Sequence, residues 1–420
     1  MKILMIGTLA LASVVGWEIP GIISLLLFYL LTFSISRFRY NLDRKYFSFG
    51  ILCCIAAFGF SFFVALLHGN NISFIFRYSG GLLLLPLYFF LLTLGKANFY
   101  MLVKYIFAFS LFFSLVSILY LISTLFHFQE LASVLRPILG YGNGSGFNDT
   151  RFYSITNLSI CIPISIILII VPRSFSAFMG INSGILSRVF FLRLYGFLTG
   201  MTGLALLFSK STIIYLAFLS VLIVCTSFNN LLSFRLNKSL LRQVPSIFIL
   251  ILLVVIPFVH YTDPSRLTEI FNPFDENHNI ARYEQMNYIA TEGTSFLGDG
   301  LGASLEGTPI LRSIESPYGM ENSIINVILK FGFFSILFLP LLFYCFITPL
   351  RFMLSQNSHW QHCYSEHVTM LANVALLSYS YFIIFSIGNP VLFHTQLNFL
   401  LLVFGVFYTR SSFLPLAEPN

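Results

Sequence analysis

KYIFAFSLFFSLVSILYLISTLF, residues 104–126, has a single charged residue, Lys104, at its first position. A helix needs about 20 consecutive apolar residues to cross the roughly 30 Å hydrocarbon layer of a membrane, and this stretch is long enough. The whole chain has the same character, with 57% hydrophobic and 9% charged residues among 420. Soluble domains carry about 25% charged residues. The stretch therefore predicts a transmembrane helix in a chain built from such helices.

Similar apolar runs recur along the sequence and predict an all-α polytopic membrane protein with about 12 transmembrane helices, within a range of 11–13. The predicted spans are residues 3–17, 20–36, 47–67, 72–94, 104–126, 153–172, 190–208, 212–228, 245–260, 331–349, 367–387 and 394–409. Residues 1–420 then form one integral membrane domain, since no polar stretch is long enough to bury a core of its own. The first run also fits a signal peptide, because Lys2 precedes a short apolar segment.

The basic residues predict the orientation of these spans. One set of connections, together with Lys2, holds 15 of the 23 Lys and Arg residues, and that side is cytoplasmic by the positive-inside rule. Both termini lie on it. The opposite side holds the other basic residues, namely Arg77, Arg136, Arg151, Lys210, Arg266, Arg282, Arg312 and Lys330. The net charge of +7 therefore reflects topology and not nucleic-acid binding.

Two outer connections are long, a smaller one over residues 127–152 and a larger one over residues 261–330. The larger contains ENHNIARYEQMNYIATEGTSFLGDGLG, residues 276–302, which predicts a short helix from Ile280 to Ala290 followed by a tight turn. Gly298, Gly300 and Gly302 suit that turn because glycine readily adopts positive φ. The segment lacks the Lys-Ser/Thr of a nucleotide-binding loop. It also contains no cysteine, so no disulfide framework holds it.

Four outer cations come from separate segments and predict a shared site for a polyanionic headgroup: Arg77, Arg151, Lys210 and Arg282. Arginine suits phosphate because its planar fork donates paired hydrogen bonds. Each residue also has a plainer interpretation. Arg77 could snorkel to the headgroups, Arg151 could anchor a span at the interface, Lys210 could lie at a solvated hairpin tip, and Arg282 could pair with Glu276 or Glu284. No metal-binding motif accompanies them, since the histidines near Cys363 lack zinc spacing.

Three blocks in order resemble the O-antigen polymerase and O-antigen ligase superfamily of bacterial polysaccharide assembly. The first is TRFYSITNLSICIPIS with Arg151, and the second is LLFSKSTIIYLAFL with Lys210. The third is the long loop with Arg282 and its glycine turn, followed by MENSIINVILKFGFFSILFL with the Glu321–Asn322 pair and Gly332. Arg282 and Gly293 also match an R-x10-G spacing of such polymerases.

The resemblance implies a glycosyltransferase of the GT-C-like membrane class in the bacterial inner membrane, with its active site facing the periplasm. Its donor and acceptor would be oligosaccharides linked to undecaprenyl diphosphate, and a chain-length regulator protein is a possible partner. It implies inverting, metal-independent transfer with no cofactor. Arg151, Lys210, Arg282 and Arg77 would bind the diphosphate. The acceptor hydroxyl needs a base, for which Glu321 is the first choice and Glu315 the second.

Two alternatives stay open at this point. A ligase would transfer the finished glycan to lipid A–core, but ligases usually carry a His-Asn pair where this chain has Glu321–Asn322. Lys210 also replaces the commoner Arg of the second block, and both departures favour a polymerase. A flippase for the lipid-linked unit would predict two similar halves and charges deep in many spans, and the sequence has neither.

Overall fold

The structure, a computed structural model, describes residues 45–72, 75, 96–138, 161–170, 172–181, 186–206, 276–291, 295–303 and 323–340. It also describes the single positions 6, 7, 10, 253, 256, 257, 371, 374, 377, 378, 380, 381, 383 and 384. The regular secondary structure of these residues is helical throughout, and none of them lies in a strand. The all-α prediction is confirmed for this part of the chain.

Eight α-helices and one 3₁₀ helix are described over their full length. They are α1 (Lys45–Leu67), α2 (Lys96–Leu125), α3 (Gln129–Ile138), α4 (Cys161–Ile170), α5 (Pro172–Met179), α6 (Leu186–Leu206), α7 (Glu276–Thr291), α8 (Ser323–Phe331) and the 3₁₀ helix Gly332–Phe338. Helices α1 and α6 overlap the predicted spans 47–67 and 190–208 closely, whereas α2 begins eight residues before the predicted span 104–126. Helix α7 contains the predicted short helix 280–290 and extends it at both ends. Helix α8 begins inside the stretch predicted as the large outer loop.

Helix α2 is long and apolar enough to cross a membrane over Ala97–Ser123, with a mean hydropathy of 2.3. Among the described residues it is the only single helix that meets this condition. A second crossing would come from α4 and α5 if that bent pair forms one span, with a bend of 103° between them. The sequence predicted a span over 153–172, whereas α5 starts a new direction at Pro172, a residue favoured in the first helical turn. The twelve-span count stays a prediction.

Helices α2, α4 and α6 contact one another, and each buries small or polar residues. Ser110, Ser114 and Ser117 are buried at helical spacing on α2, and each hydroxyl donates to the carbonyl four residues earlier at 2.7–2.8 Å. The hydroxyls are thus satisfied within their own helix. Between α4 and α6, Ser165 Oγ donates to the carbonyl of Gly196 at 2.6 Å. Small residues allow helices to approach this closely.

Helix α1 packs on the 3₁₀ helix through phenylalanine. Phe58 contacts Phe331 edge-on at a centroid distance of 5.0 Å and Phe338 at 5.4 Å, and the last two rings lie 4.9 Å apart. Edge-to-face contacts of this kind add to the gain from burial. Phe58 and Phe331 belong to one buried cluster with Ala57, Ala65 and Leu301, and Phe338 packs against it. This packing holds the second half of α1 against the 3₁₀ helix.

Candidate functional site at the glycine turn

Residues 295–303 form a compact turn whose glycines all have a left-handed backbone. Gly298, Gly300 and Gly302 have φ of 78°, 84° and 72°. Residues with a Cβ rarely adopt this region. The backbone amide of Gly298 donates to the carbonyl of Ser295 at 2.7 Å, and that of Ala303 donates to Gly300 at 3.2 Å. The turn therefore has one defined backbone path.

The turn hydrogen-bonds to the end of α8. The last carbonyls of a helix have no partner within the helix. The amide of Asp299 donates to the carbonyl of Leu329 at 2.8 Å, and the amide of Gly300 donates to that of Lys330 at 3.2 Å. Just after α8, the amide of Phe333 in the 3₁₀ helix donates to the carbonyl of Phe296 at 2.9 Å. The turn thus caps α8 with backbone amides.

The end of α1 contributes further hydrogen bonds to the turn. Gly69, at φ 69°, closes the helix, with Asn70 N donating to Ala65 O at 3.0 Å and Gly69 N to Leu66 O at 3.2 Å, the pattern of a Schellman motif. This motif presents the side chain of Asn70 to the turn. Its Nδ2 donates to the carbonyls of Asp299 and Leu301, at 2.9 and 3.0 Å.

Ser61, one helical turn before Ala65, hydrogen-bonds α1 to both α8 and the turn. Its hydroxyl donates to the carbonyl of Lys330 at 2.8 Å, and its own carbonyl accepts from the amide of Leu301 at 3.2 Å. The hydroxyl is buried, so both bonds lie away from water. Buried polar groups left without such partners cost about 1–3 kcal/mol. Ser61 therefore fixes the position of the turn relative to α1 and α8 together.

Two close backbone contacts leave no room for side chains in the turn. A Cβ on Gly298 would lie 2.6 Å from the amide nitrogen of Gly332 and 2.7 Å from the carbonyl oxygen of Lys330. A Cβ on Gly300 would overlap the backbone of Ala65. Gly332 itself has φ 50° and starts the 3₁₀ helix. The glycines are required both by their backbone angles and by the lack of space.

Helix α7 packs against the same assembly. Tyr288 and Ile289 contact a buried cluster formed by Ala303 of the turn with Ile325 and Leu329 of α8. Gln285, one helical turn earlier, is fully buried at 0% exposure. The other side of α7 is open, and Tyr283 and Met286 are exposed. The helix that carries Arg282, the glycine turn and the helix that follows Glu321 in sequence therefore meet in one cluster.

Asp299 is the carboxylic acid of the turn and is half-buried. Burial raises the pKa of its carboxyl above the usual 3.8, and this effect exceeds the lowering by a hydrogen bond from the backbone of Ser295 and by the nearby charge of His68. Burial disfavours a carboxylate because it removes the charge from water. The turn thus places a carboxyl group with a raised pKa near His68, the residue that follows α1.

Helix α8 buries two polar side chains one turn apart. Asn326 is 1% exposed, and neither atom of its amide has a hydrogen-bond partner among the described residues. Such a group costs about 1–3 kcal/mol unless something pairs with it. Lys330 is 0% exposed. The sequence grouped Lys330 with the cations of the outer side, whereas the structure buries its side chain.

The structure reaches only part of the site predicted from sequence. The backbone of Arg282 lies in α7, three residues before Gln285, and its side chain is outside the description. Gly298, Gly300 and Gly302 lie together in the turn. The remaining predicted residues lie outside the described residues, so their placement stays a prediction; they are Arg77, Arg151, Lys210, Glu315 and Glu321.

Comparison of the chain with protein-family models, curated proteins and solved structures gave no match.

Sequence reasoning missed the residues that hold the turn in place, above all Ser61 and Asn70. Ser61 lies in the middle of an apolar run, where a lone serine gives no sign of a distant partner. Asn70 follows Gly69 directly after a predicted span, and this pair marks the end of a helix. That signal identifies the cap, but it does not identify Asp299 and Leu301 as the acceptors of the side chain.

Proposed function

We propose that the chain is an O-antigen polymerase, a membrane glycosyltransferase that acts on sugars linked to undecaprenyl diphosphate. The donor is the growing glycan on one lipid, and the acceptor is a single repeat unit on another. The hydroxyl oxygen of the acceptor attacks the anomeric carbon of the donor, the bond from that carbon to the diphosphate oxygen breaks, and undecaprenyl diphosphate leaves. The glycan is transferred en bloc with inversion, at the periplasmic face of the inner membrane.

One observation carries the proposal: the parts of the third resembling block pack into one body. Helix α7, the glycine turn and helix α8 share the cluster of Tyr288, Ala303 and Ile325, although they are separated in sequence. Active sites need residues held in a fixed geometry by packed elements. A polar loop that merely connected two spans would need neither a turn closed by three glycines nor hydrogen bonds to two helices.

The proposed chemistry assigns separate tasks to cations and to a carboxylate. The departing diphosphate develops negative charge, and preorganised cations at such a position contribute several kcal/mol. Arg282, Arg151 and Lys210 take this role, with Arg77 as a fourth. Glu321, two residues before α8, takes the proton of the acceptor hydroxyl, with Glu315 as the second choice. The reaction needs no nucleotide, because the energy for transfer is stored in the sugar–diphosphate bond. As the resemblance implies, it uses no metal and no cofactor.

The ligase is the second candidate. Transfer to lipid A–core would use the same donor and the same diphosphate site, so the two reactions differ only in the acceptor. The Glu321–Asn322 pair in place of the His-Asn pair of ligases favours the polymerase. A flippase is the third candidate. The packing of the glycine turn against α7 and α8 weighs against it, because transport of a lipid-linked unit needs no packed loop outside the membrane.

The test is the lipopolysaccharide banding pattern of a deletion strain complemented with variants. A polymerase deletion gives core plus one repeat unit, and the parent gene restores the long ladder. Bare core in the deletion strain contradicts the proposal, since ligase and flippase deletions both give it. Arg282→Ala should leave the protein in the membrane and still give only one unit on core. Glu284→Gln, an exposed neighbour on α7, is the matched control and should restore the ladder.

A further inference from the structure

Helix α3 follows the membrane-spanning helix α2 after a tight reversal of the chain. His127 has φ 57°, and the amide of Phe128 donates to the carbonyl of Ser123 at 2.8 Å. The two helices contact each other along α3, where Leu135 is buried at 8% exposure. Because α2 ends at Leu125, the position of that end in the membrane sets the depth of α3 in the membrane.

An exposed apolar stripe on α2 continues onto α3. Five exposed residues of the stripe recur at helical spacing along α2 and into the reversal: Phe112, Leu115, Leu119, Ile122 and Phe126. Beyond the reversal the exposed apolar residues are Phe128, Leu131 and Val134. The rings of Phe126 and Phe128 stack at 6.3 Å and join the two parts. On α2 such a stripe faces acyl chains, and its continuation presents the same chemistry at the end of the span.

The other side of α3 is polar. Gln129, Glu130 and Ser133 are exposed, and they lie opposite Leu131 and Leu135 when residues are placed at 3.6 per turn. A short helix with separated apolar and polar sides, directly after a span, has the character of helices that lie in the plane of the membrane interface.

We propose that α3 lies in the headgroup region of the outer leaflet, with Phe128, Leu131 and Val134 against the upper acyl chains and Glu130 and Ser133 toward water. The occupant of its apolar side is lipid. The inference rests on α2 crossing the membrane, which is part of the proposed function, but it is independent of the sugar chemistry. It makes α3 an anchor that holds the smaller outer loop at the membrane surface.

The test measures the depth of single tryptophans in the full-length protein. Trp17 and Trp360, the two native tryptophans, are replaced by phenylalanine, and one tryptophan is placed at Leu131, Val134, Ser133 or Phe112. The protein is reconstituted in phosphatidylethanolamine–phosphatidylglycerol vesicles brominated near the headgroup or deep in the chain. A thermal unfolding midpoint close to that of the parent protein shows that the fold of each variant is intact.

Leu131→Trp and Val134→Trp should be quenched at least about twofold more by shallow than by deep bromines. Ser133→Trp should instead be quenched mainly by acrylamide in the water. Phe112→Trp, about 21 Å along α2 from Phe126, should respond to deep bromines and so tests the span by itself. Equal acrylamide quenching at Leu131 and Ser133, or protection of Leu131→Trp from every quencher, would overturn the proposal. The first outcome places α3 in water, and the second places its apolar side against protein.

Discussion

Gly300 lies so close to Ala65 that a Cβ atom on the glycine would overlap the amide nitrogen and the Cα of the alanine. The two residues belong to a loop and a helix that are far apart in the sequence. Their contact brings the carbonyls of the turn within reach of Asn70 and its amides within reach of α8. The position of the glycine turn therefore depends on a contact that tolerates no side chain.

Gly300→Ala should lower the thermal unfolding midpoint of the detergent-purified protein strongly. The substitution combines a left-handed backbone, at about 1–2 kcal/mol, with overpacking, at about 1–3 kcal/mol. Gly69→Ala is the matched control, because Gly69 has a similar φ of 69° but nothing within 4 Å of an added Cβ. Equal losses in the two variants would mean that the contact with Ala65 contributes nothing.

Asn70→Asp should loosen the turn without changing the size of the side chain. The carboxylate cannot donate to the carbonyls of Asp299 and Leu301, and leaving such groups unpaired costs about 1–3 kcal/mol. Limited proteolysis should then cut the outer loop faster. Asn71→Asp, at an exposed position, should keep the parent rate, and a parent rate in both variants would show that Asn70 does not hold the loop.

Asp299→Asn should flatten the pH dependence of stability in the acidic range. The folded carboxyl keeps its proton to a higher pH than the unfolded one, because burial raises its pKa above 3.8. The folded state therefore binds more protons in this window, and the free energy of unfolding of the parent falls as pH rises through it. Asp299→Asn should raise the free energy of unfolding little at a pH below the pKa of the unfolded carboxyl. The increase should be complete at a pH above the pKa of the folded carboxyl.

Thermal unfolding of both proteins at a series of pH values measures this difference. Glu284→Gln on the exposed side of α7 serves as the control for loss of one carboxyl group. A constant gap between Asp299→Asn and the parent at every pH would contradict the raised pKa.

Asn326→Leu should raise the unfolding midpoint. The amide is 1% exposed and makes no hydrogen bond within the part of the chain that the structure describes. An apolar side chain of similar size therefore removes a cost of about 1–3 kcal/mol. Asn287→Leu, at an exposed position on α7, should change the midpoint little. A lower midpoint for Asn326→Leu would reveal that the amide is paired, by water or by a polar group of a ligand.

Glu321→Gln should abolish glycan transfer while binding of the lipid-linked acceptor persists. The amide keeps the shape of the side chain but cannot accept the hydroxyl proton. Transfer by purified protein is measured beside binding of the acceptor to vesicles that contain the protein. Glu315→Gln is the comparison, since it is the second choice for the base. Near-parent turnover of Glu321→Gln together with loss in Glu315→Gln would reverse the assignment.

The sequence predicted local features well, because these depend on a few adjacent residues. The helix around Arg282 and the turn at Gly298–Gly302 both followed from short patterns, and the apolar run of α2 predicted its own path. Helix α8 was placed in the loop instead, because the predicted span began only at residue 331. The burial of Asn326 and Lys330 depends on tertiary packing, and no short pattern in the sequence contains that information.

The packing around the turn could not be predicted from the sequence for the same reason. Ala65 looks like any small residue of a span, and its importance comes from a glycine that follows much later in the chain. The residues proposed to carry the chemistry, from Arg151 to Glu321, were chosen by residue type, side of the membrane and resemblance. Those criteria name the groups but give no distances between them.

The bonds from Asn70 reach partners 229 and 231 residues further along the chain. During synthesis the side chain of Asn70 is therefore made long before the carbonyls that accept from it. Until residue 301 has been made, the pair of acceptors is incomplete and the end of α1 lacks its partner in the turn. Closure of this junction is consequently a late event in folding, and a chain interrupted before that residue would carry α1 without the turn that packs on it.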